Sequence, residues 1–363
     1  MDECPHLVCS DANPAPEIPH NADFRDVILS SWPFSLTSEK HPAVSSCDDA
    51  VRKWSCKYGL IDSSDAMHQM HPLLALRSAE LAGYGYSRAS TDVLALAAQW
   101  VMWFFLLDDI FDEGVDGQSA ARATVRLAPL RELLQTFGTR TETDGEVPGV
   151  ESAFTDLLQR TAEIMASAQF NQFVVHMHWY FDSLVVEAKN RETNTMPSLS
   201  DYLRLRRDTG PVLPLLDLVE QAESIRLPSD FYGSREYRDM IGAAADIASW
   251  INDIFSAQKE IANGDVHNLV ILLQRASGSS IVQAVHEAIG CIREHLDLFQ
   301  AARHQVINLP AYSGLSRTAI EAIDTWASGL LSFQDHGAWY VQHSRYQPPE
   351  AATCNETGRL IDG

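Results

Sequence analysis

Basic residues are scarce in this chain: 27 Lys and Arg stand against 49 Asp and Glu, for a formal net charge of −22. Such a surface repels nucleic acid and anionic lipid, so no nucleic-acid partner is expected. An anionic substrate would need metal ions or local arginines to hold it. Long apolar runs are missing too. The most apolar stretch, residues 93–107, is broken by Gln99 and ends in carboxylates. It falls short of a transmembrane helix, so stable membrane insertion is not expected. The six cysteines, Cys4, Cys9, Cys47, Cys56, Cys291 and Cys354, show no close paired spacing of the zinc type and read as free thiols. Residues 1–20 are acidic and proline-rich with no apolar core, so a secretory signal is not expected and a cytoplasmic location is. Strand-like alternation between hairpin turns is absent, and no repeat period appears.

What is present is helical periodicity. Apolar residues recur at spacings of three and four over 91–111, 151–189, 199–221, 236–262, 265–276, 281–307 and 315–342. Turn chemistry separates them at 114–118, 138–149, 226–233 and 276–280. The expected fold class is all-α: one domain, a bundle of about ten to twelve helices. Residues 1–22 are expected to form a disordered arm, 23–346 the domain, and 347–363 a loose tail.

Polar chemistry concentrates in two places. In FFLLDDIFDEG, residues 104–114, four carboxylates (Asp108, Asp109, Asp112 and Glu113) close an aromatic run. Neighbouring carboxylates repel, so a fold that gathers them calls for a cation. In WINDIFSAQKEIANGD, residues 250–265, Asn252, Ser256 and Glu260 are spaced by four and four. Each step of four rotates about 40° on a helix, so the three side chains share one face. Carbonyl, hydroxyl and carboxylate oxygens are hard donors that suit Mg²⁺, an ion that completes its shell with water and substrate phosphates.

The pair of motifs resembles that of the class I terpene synthases, most closely the single-domain microbial sesquiterpene cyclases. Those enzymes carry an aspartate-rich motif on one helix, here Asp108-Asp109-Ile-Phe-Asp112-Glu113. A facing helix carries the second motif, here Asn252-Asp253-Ile-Phe-Ser256-Ala-Gln-Lys259-Glu260. The resemblance covers about residues 50–346 and implies a bundle around a central apolar cavity. It implies three Mg²⁺, held by Asp108 with Asp112 or Glu113 on one side and by Asn252, Ser256 and Glu260 on the other. Arg206, 46 residues before Asn252, stands where the family has a diphosphate-sensing arginine. Thr209 and Gly210 fall at the linker and effector positions of its helix break. Arg345 and Tyr346 look like its diphosphate-binding Arg-Tyr pair, and Lys259 is a further candidate for that anion. Trp339 stands where the family often has a pocket tryptophan, and a homodimer is possible.

The residues themselves fit that chemistry. Guanidinium forks two N–H groups onto phosphate oxygens. Pro211 after Gly210 predicts a break that aims free carbonyls into a cavity. Phe104 and Phe105 are placed to line a dry pocket and face a carbocation. His176 and His178 point to different sides of a helix and are read as packing. The implied reaction is metal-dependent ionisation and cyclisation of a prenyl diphosphate. Farnesyl diphosphate is the expected substrate, with the geranyl and geranylgeranyl esters as alternatives. A chain-elongating prenyl diphosphate synthase would need a second aspartate-rich motif in place of Asn252 to Glu260. A non-catalytic helical binding protein would show no Mg²⁺-dependent turnover.

Overall fold

Short polar side chains start the helices that matter most here. Ser198, Ser234 and Ser316 each accept a hydrogen bond from the backbone N–H three residues on, and Asn268 accepts from Val270 and Ile271. Each bond satisfies a donor that the first helical turn leaves open.

The computed structural model describes residues 21–62, 72–112, 114–137, 148–308 and 314–343. Among these, thirteen helices have seven residues or more. In chain order they are α1 (Asn21–Ser31), α2 (Val44–Lys57), α3 (Ser78–Gly85), α4 (Thr91–Asp112), α5 (Ala120–Gln135), α6 (Val150–Ile164) and α7 (Ser167–Glu192). There follow α8 (Leu199–Thr209), α9 (Arg235–Asn263), α10 (Leu269–Ser277), α11 (Ile281–Asn308), α12 (Arg317–Leu331) and α13 (His336–Gln342). No strand forms among the described residues.

Two helices organise the bundle. Nearly every residue of α9 from Tyr237 to Ala257 is buried. Gly242, Ala243, Ala244, Ala245 and Ala248 keep its surface low, so α8, α10 and α11 pack closely along it. The other is α4, whose buried Trp100 and Trp103 donate to Thr161 Oγ1 at 2.9 Å and the Val150 carbonyl at 3.1 Å, both on α6. These bonds let two large indoles enter the core without stranding an N–H.

The periodic segments are helical, with breaks the pattern showed only in part. The 151–189 segment is two helices, parted where Met165 and Ala166 turn extended. The 265–276 segment becomes helical only at Leu269, because Asn268 is its cap. The 199–221 segment breaks after Thr209, where Gly210 and Pro211 predict it, and a 3₁₀ turn at Ser332–Asp335, which nothing in the pattern marks, divides 315–342. Helix α4 also outgrows the apolar stretch that defined it. At 22 residues it is long and apolar enough to cross a membrane, yet 61% of its most apolar window is buried inside the bundle. Helix α1 begins at Asn21, inside the arm expected for 1–22. Residues 1–20 and 347–363 lie outside the described residues.

Candidate active site

One cavity, of about 630 Å³, is lined by residues of α3, α4, α7, α8, α9 and α13. Its lining is of two kinds. Asp108, Asp112, Asn252, Ser256, Lys259 and Glu260 are polar, whereas Leu81, Val101, Phe104, Val212, Leu215 and Phe333 are not. Both sequence motifs therefore reach the same space.

Each of the three motif side chains on α9 already accepts a hydrogen bond. Asn252 Oδ1 takes Arg206 Nη2–H at 2.7 Å, and its Nδ2 donates to the Tyr340 hydroxyl at 3.2 Å. Asn268 Nδ2 donates to Glu260 Oε2 at 2.8 Å and to Ser256 Oγ at 3.4 Å. Burial first, and Asp253 second, push the Glu260 carboxyl up to about 8. Asp253 itself, 1% exposed, is an anchor. It takes Arg206 Nε–H at 2.8 Å, the Tyr202 hydroxyl at 2.5 Å and the Leu269 N–H at 3.0 Å. One buried carboxylate thus fixes α8, α9 and the start of α10 to one another.

On α4, Asp108 and Asp112 both line the cavity. The expectation that gathered carboxylates call for a cation is met here by the protein. Arg191 Nη2 of α7 donates to Asp112 Oδ1 at 2.5 Å and lies 3.7 Å from Asp265 and 3.9 Å from Glu187. Burial opposes the Arg191 charge, but Glu187, Asp112 and Asp265 hold it firmly protonated. The Asp112 side chain is 42% exposed and lines the cavity. Its carboxyl is pushed up to about 6, by burial above all and against the pull of Arg191. Glu113 lies outside the described residues, so Asp112 and Glu113 are not told apart by comparison.

At the helix break, Arg206, Thr209, Gly210 and Pro211 all line the cavity. The glycine is required for a different reason from the one its sequence suggests. Its φ is −82°, open to any residue. A β-carbon there would stand 2.7 Å from Ser249 Oγ and 3.0 Å from Arg206 Nη1, closer than packing allows. The break sets the Val212 N–H against the Gly210 carbonyl, and the Gly210 N–H still bonds the Arg206 carbonyl at 3.0 Å.

Phe104 and Phe105 line the cavity as expected, with Phe104 stacked on Trp100 at 5.5 Å. Trp339 is not among the lining residues. It is 1% exposed and packs behind, 6.3 Å from the Phe105 ring and stacked 4.3 Å from His343. Its neighbour Tyr340 takes the cavity position, because the turn of α13 carries one residue inward and the next into the core. His336 also lines the cavity, and burial holds its imidazole down at about 3, hence neutral. Tyr340, His336, Arg191 and Ser249 were missed from sequence. The first three come from helices that carry no motif, and Ser249 lies on α9 one turn before its motif. His176, read as packing, pairs with buried Asp217 at 2.7 Å behind the break. Arg345 and Tyr346 lie outside the described residues.

The donor set fits a divalent cation. Asp108, Asp112, Asn252, Ser256 and Glu260 bring only oxygen to the cavity. Among the described residues no three His, Cys, Asp or Glu side chains converge as a ready-made cage. That suits an ion whose shell is completed by Asn and Ser oxygens and by the substrate.

Hard oxygen ligands on two helices beside a hydrocarbon wall suit a diphosphate ester whose organic part must stay dry, the chemistry of class I terpenoid cyclases. Residues 99–297 match the family described as terpene synthase family 2, C-terminal metal binding. The chain belongs to that family and is a class I terpene synthase, a lyase. It is 30% identical over 327 residues to the (−)-delta-cadinene synthase of Streptomyces clavuligerus, spanning 88% of this chain and 96% of that one. To the (+)-T-muurolol synthase ((2E,6E)-farnesyl diphosphate cyclizing) of Roseiflexus castenholzii it is 29% identical, over 87% of this chain and 93% of the other. The germacradien-4-ol synthase of Streptomyces citricolor has the same fold, with a TM-score of 0.70 at 23% identity over 86% and 97% of the two chains.

Proposed function

We propose that this chain ionises farnesyl diphosphate and cyclises it to a sesquiterpene hydrocarbon or alcohol, releasing diphosphate. The observation that carries this reading is the single cavity shared by both motifs, Arg206 and the apolar wall. The chain length is supported by the Roseiflexus relative, whose name specifies (2E,6E)-farnesyl diphosphate. The metal is Mg²⁺, in the three copies the family resemblance implies. Asp108, with Asp112 or Glu113, would hold it from α4, and Asn252, Ser256 and Glu260 from α9. When bound, such cations neutralise the charge that builds on a departing diphosphate.

The rest falls to the chain. Loading would meet three donors already on these oxygens, Arg191 on Asp112, Arg206 on Asn252 and Asn268 on Glu260, and would share or displace them. Arg206, still gripped by Asp253, can then turn its fork to the anion. Lys259, Arg345 and Tyr346 add further donors. Thr209 and Gly210 shape the wall beneath. Phe104, Phe105 and Tyr86 exclude water, and their rings favour a carbocation by about 0.5–2 kcal/mol each.

The test is incubation of purified protein with geranyl, farnesyl and geranylgeranyl diphosphates, each with Mg²⁺ and with excess chelator, followed by gas chromatography. A fifteen-carbon volatile product from the farnesyl ester, absent under chelation, is the expected result. A longer diphosphate would mark an elongating synthase. Inertness toward all three would leave a helical binding protein, and turnover in excess chelator would remove the metal from the mechanism.

A further inference from the structure

A buried hydroxyl without a hydrogen-bond partner is uncommon, because it has given up its bonds to water and gained none. Two such hydroxyls stand on the cavity wall beside the helix break. Ser249 Oγ belongs to a residue 1% exposed, and Thr209 Oγ1 to one 5% exposed. Ser249 sits on α9 one turn before Asn252, outside the metal-type motif.

Ser249 Oγ and Arg206 Nη1 close in over Gly210: a β-carbon at that position would stand 2.7 Å from the first and 3.0 Å from the second, so the two groups lie beside one another on the cavity wall. The other guanidinium nitrogens are engaged. Nε donates to Asp253, while Nη2 donates to Asn252 and, at 3.5 Å, to the Ser249 carbonyl. Nη1 makes no hydrogen bond among the described residues. A guanidinium N–H can only donate, and the serine hydroxyl beside it has a proton to give. Two donors side by side on the cavity wall select an acceptor, and the positive charge of one of them selects an anionic acceptor.

We infer that Ser249 is a further diphosphate-binding residue, its hydroxyl and Arg206 Nη1 together holding oxygen of the substrate's diphosphate over Gly210. The inference rests on the proposed function, which supplies the anion. It explains two features at once: why position 210 has no β-carbon, and why a buried serine hydroxyl on the cavity wall has no hydrogen-bond partner within the protein. The unsatisfied bond is made when the ligand arrives.

Inorganic pyrophosphate, with Mg²⁺ at a fixed saturating concentration, is the probe. Its dissociation constant is measured by calorimetry for the wild-type chain, Ser249→Ala and Gly210→Ala, alongside each protein's melting temperature without ligand. Ser249→Ala should weaken pyrophosphate by about ten-fold, the ordinary worth of a hydrogen bond to a charged group. Its melting temperature should stay level or rise, because an unsatisfied buried hydroxyl has been removed. Gly210→Ala pushes a methyl group against Ser249 Oγ and Arg206 Nη1, displaces both donors, and should weaken binding at least as much. A purely structural serine would show the opposite: a lower melting temperature and unchanged pyrophosphate affinity. That outcome overturns the inference while leaving the function intact. Unchanged affinity in Ser249→Ala together with an altered share of ¹⁸O-labelled alcohol from H₂¹⁸O would also overturn it, assigning the hydroxyl to a water. If the wild-type chain binds no pyrophosphate under these conditions, the reading of the whole site fails, and this inference with it.

Discussion

Arg206 and Arg207 are neighbours on the last turn of α8, and the fold gives them unlike work. Arg206 faces the cavity, 15% exposed at its side chain. Arg207 turns away and forks onto buried Asp246, with Nε at 2.9 Å and Nη2 at 2.6 Å, against Gly242. Substitution by lysine keeps the charge and loses the fork at both positions, but the consequences should separate. Arg206→Lys is expected to lower turnover roughly 10²-fold, the usual loss when a charge-stabilising donor is displaced, and also to lower the melting temperature, because buried Asp253 loses its Nε–H partner. Arg207→Lys is expected to lower the melting temperature by about 3–6 °C and to keep most turnover at low temperature. Thermal melts beside steady-state rates decide it. Equal rate losses at both positions would unseat Arg206 as the sensor. At this scale the sequence was legible where helix geometry alone sets the answer. Asn252, Ser256 and Glu260 share a face because steps of four must. Arg191 was not legible, because its pairing with Asp112 joins residues 79 positions apart on different helices.

Among elements, the helices were legible and their interruptions less so. Apolar spacing reports which residues face inward, and it runs on unchanged through Met165 and Ala166, where neither glycine nor proline marks the break. The aromatic stretch of α4 shows the same limit. Spacing places Trp100, Trp103, Phe104 and Phe105 toward the inside without saying which of them meets cavity and which meets core. The structure divides them: Phe104 and Phe105 face the cavity, while Trp100 and Trp103 bond to α6. On α13 it divides Tyr340 from Trp339 in the same way. Two leucine variants should therefore behave differently. Phe104→Leu should keep metal-dependent consumption of substrate and move the products toward linear or early-quenched terpenes. Branches between competing cations are decided by about 1–2 kcal/mol, within what one ring supplies. Trp339→Leu should instead lose about 2–4 kcal/mol of stability as a core cavity opens. Product profiles and melting curves of the two proteins test this together. An unchanged profile in Phe104→Leu would make that ring core as well.

For the whole molecule, the acidic balance and the all-helical class followed from composition and periodicity, and the two motifs placed the site. What sequence could not supply is the state of that site before anything binds. Asp112 is matched by Arg191, Asn252 by Arg206 and Glu260 by Asn268, so the ligand oxygens do not depend on an added ion to hold the helices together. Prolonged dialysis against chelator should leave the melting temperature within about 2 °C of its starting value, since only ligands bound to the native state add to its stability. Full turnover should return when Mg²⁺ is restored. A large drop in melting temperature, or activity that does not come back, would show that the ion is part of the scaffold. The pairing of Arg191 with Asp112 thus has a consequence for the life of the protein. On the proposed function, a chain furnished with its own stand-in for a divalent ion is dormant when that ion is scarce, and it is undamaged by the wait.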